Sequence, residues 1–202
     1  MNKTIVQFLY SARLGDGCFY RRNEKQNYLF TFTSYNNEYI NFVYNYFKSL
    51  EYSPYPIRDI LSGFKVGSKG YTFQTRVHTD FTYVASLTVS ECVNALDVEG
   101  LAFFYLDDGS YHKNKHFGHL YCNTFSVDDV NALIEKFYSL YPIKRCSLRW
   151  DRKKNGKCYP YIYIPVSVMN EFKKDVKVII DKYDLHSFDY KVGLPSQTIE
   201  RR

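Results

Sequence analysis

Leu101-Ala102-Phe103-Phe104-Tyr105-Leu106-Asp107-Asp108-Gly109 is an apolar run that ends in two carboxylates and a glycine. It reads as a buried helix with an acidic end. A helix C-terminus carries a partial negative charge, so an aspartate there is disfavoured. Glycine just beyond is ordinary, because the left-handed cap position costs glycine nothing. The anomaly is the carboxylate, and a bound cation would resolve it.

A looser copy stands near the N-terminus, Leu9-Tyr10-Ser11-Ala12-Arg13-Leu14-Gly15-Asp16-Gly17. Either copy alone reads better as a solvated Asp-Gly turn, which is common. Asp16 and Asp108, however, stand nearly half of the 202-residue chain apart. A duplicated fold with one acid per half predicts a two-fold-symmetric site. Such a site suits a two-fold-symmetric substrate, and duplex DNA is the obvious one.

The rest of the chain repeats with the same period. The first half predicts a helix over 4–15, strands over 18–22 and 28–33, and an amphipathic helix over 37–50. Strands over 55–64 and 71–78 follow, then a helix over 80–95. Residues 63–70 are glycine-rich and read as a hairpin loop, without the residue order of a phosphate loop. The second half predicts a helix over 99–107 and strands over 110–112 and 119–124. A helix then runs to Leu140, with Ser126 as N-cap and Asp129 completing a capping box. Strands over 144–152 and 157–164 flank an Asn155-Gly156 hairpin turn. A helix over 166–183 and an irregular tail close the chain. The fold class is α+β, with two αββαββα halves over 1–97 and 98–202.

Lys and Arg number 27 against 21 Asp and Glu, a net charge of +6 that permits a polyanionic partner without proving one. The 5 cysteines form no CxxC pair, which supports neither a disulfide framework nor a zinc site. A reducing intracellular compartment is expected, organellar or bacterial, and not secretion. No signal peptide or membrane-spanning stretch is read. The 21 tyrosines and 16 phenylalanines read first as strand formers that pack a sheet, with base stacking as the alternative.

The element order and the two Asp-Gly helix ends resemble the LAGLIDADG homing endonucleases, in particular the single-chain, two-motif, mitochondrial intron-encoded branch. The second motif carries most of the likeness. It continues through Asn123-Thr124-Phe125-Ser126-Val127-Asp128-Asp129-Val130 and into Tyr190-Lys191-Val192-Gly193-Leu194-Pro195. The resemblance implies that the two motif helices pack as a central interface and that antiparallel sheets form a saddle over DNA. Ser11, Ala12 and Gly15 would allow close approach in the first helix, with Ala102 the small residue of the second. It implies a monomer that binds double-stranded DNA, with Asp16 and Asp108 holding Mg²⁺ or Mn²⁺ for phosphodiester hydrolysis and Asp107 not a ligand. Lys191 falls at the family's second-half lysine, and Asn123 where a polar residue positions water; Thr33 is its first-half counterpart.

The first half departs from the pattern. Its expected lysine would fall near 83–88, which holds no Lys or Arg; Arg76, His78 and Lys69 are the available substitutes. Candidate DNA contacts are Arg21, Arg22, Lys25, Lys65, Lys69 and Arg76 in the first half. In the second they are Lys113, Lys115, His116, Arg149, Arg152, Lys153, Lys154 and Lys157. Loop lysines suit phosphates, and Arg149 and Arg152 suit guanine. The alternatives are an intron-RNA maturase and a DNA-binding protein that has lost cleavage.

Overall fold

The computed structural model describes residues 3–50, 52–61, 69–153 and 156–195. The elements run α1 (Lys3–Leu14), β1 (Gly17–Tyr20), β2 (Leu29–Ser34), α2 (Asn37–Ser49), β3 (Arg58–Leu61), β4 (Lys69–Gln74), α3 (Thr79–Ser86) and α4 (Val89–Ala95). They continue with α5 (Val98–Asp108), β5 (Gly109–His112), β6 (Phe117–Tyr121), α6 (Val127–Leu140), β7 (Ser147–Arg152), β8 (Cys158–Ile164) and α7 (Val166–Lys182). A 3₁₀ helix over His186–Val192 stands where an irregular tail was expected. Each half contains one antiparallel four-stranded sheet, ordered β1-β2-β4-β3 and β5-β6-β8-β7.

Packing groups the chain into two compact units, Gly15–Leu87 and the combination of Asn2–Leu14 with Thr88–Arg202. These differ from the sequence halves 1–97 and 98–202, because α1 and α4 pack with the later elements.

In the first unit, alternation along β2 and β4 sends Phe30, Phe32 and Phe73 to one face, where Phe47 of α2 and Phe81 of α3 meet them. All five rings are fully buried. The opposite face of this sheet carries Thr31, Thr33, Thr72, Gln74 and Arg58. The aromatic excess therefore serves the core first.

The expected single helix over 80–95 is two helices. Leu87 and Thr88 are extended, with ψ of 142° and 164°. Thr88 accepts from the Glu91 N–H while the Glu91 carboxylate accepts from the Thr88 N–H, so a new helix starts there. The capping box expected at Ser126 and Asp129 is present.

In the second unit, α1 and α5 lie side by side and parallel. Thr4 donates to Glu99 at 3.3 Å, and Phe8 meets Phe103 edge-on at 5.4 Å. Gln7 joins the two helices through polar contacts: its amide donates to the Ala95 carbonyl at 3.0 Å and its oxygen accepts from the Asp97 N–H at 2.8 Å. Asp97 then caps α5 by accepting from the Gly100 N–H. Gly100 is a second small residue in α5 beside Ala102; a Cβ there would lie 2.4 Å from Gln7 Oε1. Helices α6 and α7 cover the Leu120, Ile162 and Ile164 face of the second sheet.

The β7–β8 hairpin closes with the Lys153 N–H donating to the Lys157 carbonyl, and Gly156 has φ +80°. Asn155 and the candidate contacts Lys65 and Lys154 lie outside the described residues, as does 62–68 of the expected loop. All five cysteines are free. Among the described residues, no helix is long and apolar enough to cross a membrane.

Candidate functional site

Asp108 is the last residue of α5 and is half-buried. Residues 100–106 before it are all buried, so the helix end is held firmly. The glycine after it does not take the left-handed cap expected from sequence. Gly109 has φ −83° and ψ 156° and leads straight into β5. Its missing side chain matters for another reason: a Cβ would lie 2.2 Å from the Tyr105 ring and 2.4 Å from the Tyr105 carbonyl oxygen. Asp16 is exposed in the two-residue link between α1 and β1.

Lys191 occupies the end of α5. It is 5% exposed, and its ammonium donates to the carbonyls of Tyr105 at 3.4 Å, Asp107 at 3.1 Å, and Leu106. A buried ammonium there offsets the negative end of the helix and gives its last carbonyls a donor, although that of Tyr105 also accepts from the Gly109 N–H. This partly answers the electrostatic objection to an acidic helix end without a bound ion. The 3₁₀ helix that delivers Lys191 ends at Gly193, with φ +88°. A Cβ at Gly193 would also lie 2.5 Å from the Tyr111 ring, so glycine is required on both counts.

Both carboxylate oxygens of Asp107 are buried. Asn123 is exposed in the turn just after β6. Its neighbour Cys122 has a thiol pushed up to about 12, by burial first and by the charge of Asp108 second. The end of β6 and Asp108 are therefore electrostatic neighbours. In the first unit Thr33 donates to Thr72 at 3.0 Å across the sheet.

The candidate basic contacts fall into distinct settings. Arg21 donates to the Glu24 carbonyl and lies over Tyr28, so it is held by its own loop. Lys69 pairs with Asp59 at 2.8 Å and Lys153 with Asp151 at 2.5 Å. Arg22, Lys25, Arg76, Lys113, Lys115, His116 and Lys157 are exposed in turns or loops. Arg149 lies across from Tyr161 and rests over the Tyr163 ring at 4.0 Å. Arg152 is three residues further along β7, so the pleat turns it to the opposite face. Only Arg149 of that pair faces outward from the second sheet.

That outward face also carries His112 and His119, which the sequence did not single out. His112 Nε2 and His119 Nδ1 are 3.2 Å apart, and the His119 ring lies 4.5 Å from Tyr161. Burial, His112 and Arg149 together lower His119 to about 4. Arg58 was missed as well; it stands exposed on the outward face of the first sheet. Neither had a motif around it, and strand alternation was the available signal.

The solved structures similar to this chain share its fold. The homing endonuclease I-WcaI bound to its DNA recognition sequence matches at a TM-score of 0.73 and 21% identity, over 96% of this chain and 88% of that one. I-DmoI in complex with DNA and Mn matches at 0.59 and 14%, over 86% and 96%. Full-length DUF199/WhiA from Thermatoga maritima matches at 0.51 and 8%, over 90% and 62%. No curated protein matches the chain. The model of the LAGLIDADG DNA endonuclease family matches residues 7–172. A match over most of the chain, together with a repeated helix-to-Asp-Gly motif and two αββαββα sets, places this protein in the LAGLIDADG DNA endonuclease family.

Proposed function

We propose that this protein is a site-specific endonuclease that hydrolyses both strands of a long DNA duplex, with divalent metal ions held by Asp16 and Asp108. The observation that carries this reading is Asp108, a half-buried aspartate fixed at the end of a buried motif helix, within a chain whose family is that of DNA endonucleases. The donor set fits Mg²⁺ or Mn²⁺. Among the described residues, no group of three or more His, Cys, Asp or Glu could hold an ion alone. Mg²⁺ is usually bound by one or two carboxylates, completed by water and substrate phosphate. Bound there, the ions supply Lewis acidity to the scissile phosphodiester.

The protein's own residues do the placing. Asp108 presents oxygen from a helix end whose negative pole Lys191 already offsets. Lys191 also keeps a positive charge at that end, which favours a phosphate. Asn123, exposed beside Cys122, orients water.

A second reading has one observation behind it. Residues 77–112 contain no Lys or Arg, so the first half lacks a basic group at the expected place. This favours strand-biased cutting, or binding without cleavage.

The test is cleavage of a duplex target in Mg²⁺ or Mn²⁺ by the parent and by Asp16→Asn and Asp108→Asn. The parent should cut, and both variants should bind without cutting. Variants that cut as well as the parent would end the proposal, whereas cutting of one strand by the parent would select the second reading.

A further inference from the structure

His112 and His119 are diagonal neighbours on the outward face of the second sheet. In the β5–β6 ladder His112 stands across from Phe117, and His119 across from Ser110. The two rings bring Nε2 of His112 to 3.2 Å from Nδ1 of His119. Two nitrogens on a tetrahedral Zn²⁺ ion, each about 2.0–2.1 Å from the metal, lie about 3.3 Å apart. The pair therefore already has the bite of a chelate.

Packing holds both rings in that pose. The His112 ring stacks on Phe117 at 4.3 Å, and the His119 ring meets Phe117 at 5.0 Å and Tyr161 at 4.5 Å. Side chains so held lose little further freedom when an ion binds. His119 is neutral at neutral pH, because burial, His112 and Arg149 lower it to about 4, and a neutral imidazole is what a metal needs. The hydrogen bond between the rings places one proton between the facing nitrogens. An entering ion takes that place, and the proton moves to the far nitrogen of its own ring.

Two charged groups act on the pair from β7. Arg149 opposes a cation, but its guanidinium is stacked over Tyr163; Asp151 favours one. His116, in the same hairpin, is engaged elsewhere, with its Nδ1 2.9 Å from the Tyr111 hydroxyl.

We infer that His112 and His119 form a binding site for a borderline transition-metal dication such as Zn²⁺, with water filling the remaining positions. Imidazole suits Zn²⁺, Ni²⁺ and Cu²⁺, whereas Mg²⁺ takes oxygen ligands. The site is thus chemically separate from the carboxylates of Asp16 and Asp108, and it stands whether or not the protein cuts DNA.

The experiment titrates Zn²⁺ into the full chain, without DNA and in excess Mg²⁺, and reads the heat of binding. The same titration is run on His112→Gln, His119→Gln and His116→Gln, after thermal unfolding without Zn²⁺ has shown each variant folded. The parent should take up one ion at this pair. His112→Gln and His119→Gln should each bind it at least about 10-fold more weakly, and His116→Gln should match the parent. Nitrogen NMR of the parent gives a reading that needs no variant: Zn²⁺ should shift His112 Nε2 and His119 Nδ1 and leave His116 unmoved. Uptake that both weakened variants retain at parental strength, as at the exposed thiols of Cys18 and Cys158, overturns the assignment. So does a parent that takes up no Zn²⁺ in excess Mg²⁺, or a loss shared equally by His116→Gln. Each of these failures leaves the nuclease reading intact.

Discussion

Tyr105 and Lys191 hold each other across the end of α5. The Tyr105 hydroxyl donates to the Lys191 carbonyl at 3.2 Å, and the Lys191 ammonium donates back to the Tyr105 carbonyl at 3.4 Å. Neither residue can move without unseating the other, and Asp108 stands at the joint. Substituting Lys191→Met takes a donor from the carbonyls of Leu106 and Asp107 and leaves that of Tyr105 with the Gly109 N–H alone. The expected loss is about 2 kcal/mol. Thermal unfolding should shift down by roughly 4–8 °C for a chain of this size. An unchanged midpoint would show that the ammonium contributes nothing to the fold.

Gln7 fastens α1 to the start of α5 with two hydrogen bonds, to Ala95 and Asp97. Gln7→Leu keeps most of the volume and strands both backbone partners. Urea denaturation should show a loss of about 2 kcal/mol. A variant as stable as the parent would mean that water replaces the amide.

Gly193→Ala places a Cβ at φ +88° and against the Tyr111 ring. The expected cost is about 1–3 kcal/mol, read by calorimetry. Tyr111→Ala should recover the steric part in the double variant and leave the backbone part.

His119 makes stability depend on pH. Its folded value is lowered to about 4 from an ordinary 6.5, so the unfolded chain binds the proton first as pH falls. The contribution is present above 6.5 and is lost between 6.5 and about 4. After allowance for solvent screening, the effect is on the order of 1 kcal/mol. His119→Gln should flatten that limb of the pH–stability curve; an identical curve would place the titration elsewhere.

Much of the fold was legible because its signals are local. The Ser126–Asp129 capping box lies within one turn, and the Phe and Tyr alternation of β2 and β8 lies within one strand. The features that escaped were in part local signals that read more than one way and in part contacts with distant partners. Val89 and Thr88 look like continued helix or strand until the Thr88–Glu91 exchange restarts the chain. Gly109 looks like a cap until the Tyr105 ring occupies the space beside it. The segment around Lys191 has weak periodicity, and its 3₁₀ helix is ordered by contact with α5, more than eighty residues earlier. Asp108 was marked by its motif, whereas Arg58 became visible only when the β3–β4 register put it opposite Thr72.

The N-terminal helix belongs to the unit completed last. Helix α1 is synthesised before its partners α4 and α5, which begin only at Val89 and Val98. The stretch Gly15–Leu87 is continuous and carries its own sheet and phenylalanine cluster, so it can settle during synthesis while the leading helix waits. Throughout that interval Ile5, Phe8 and Leu9 are without the surface that finally covers them. The emerging polypeptide thus carries an apolar segment whose cover is synthesised only after the whole of the first sheet.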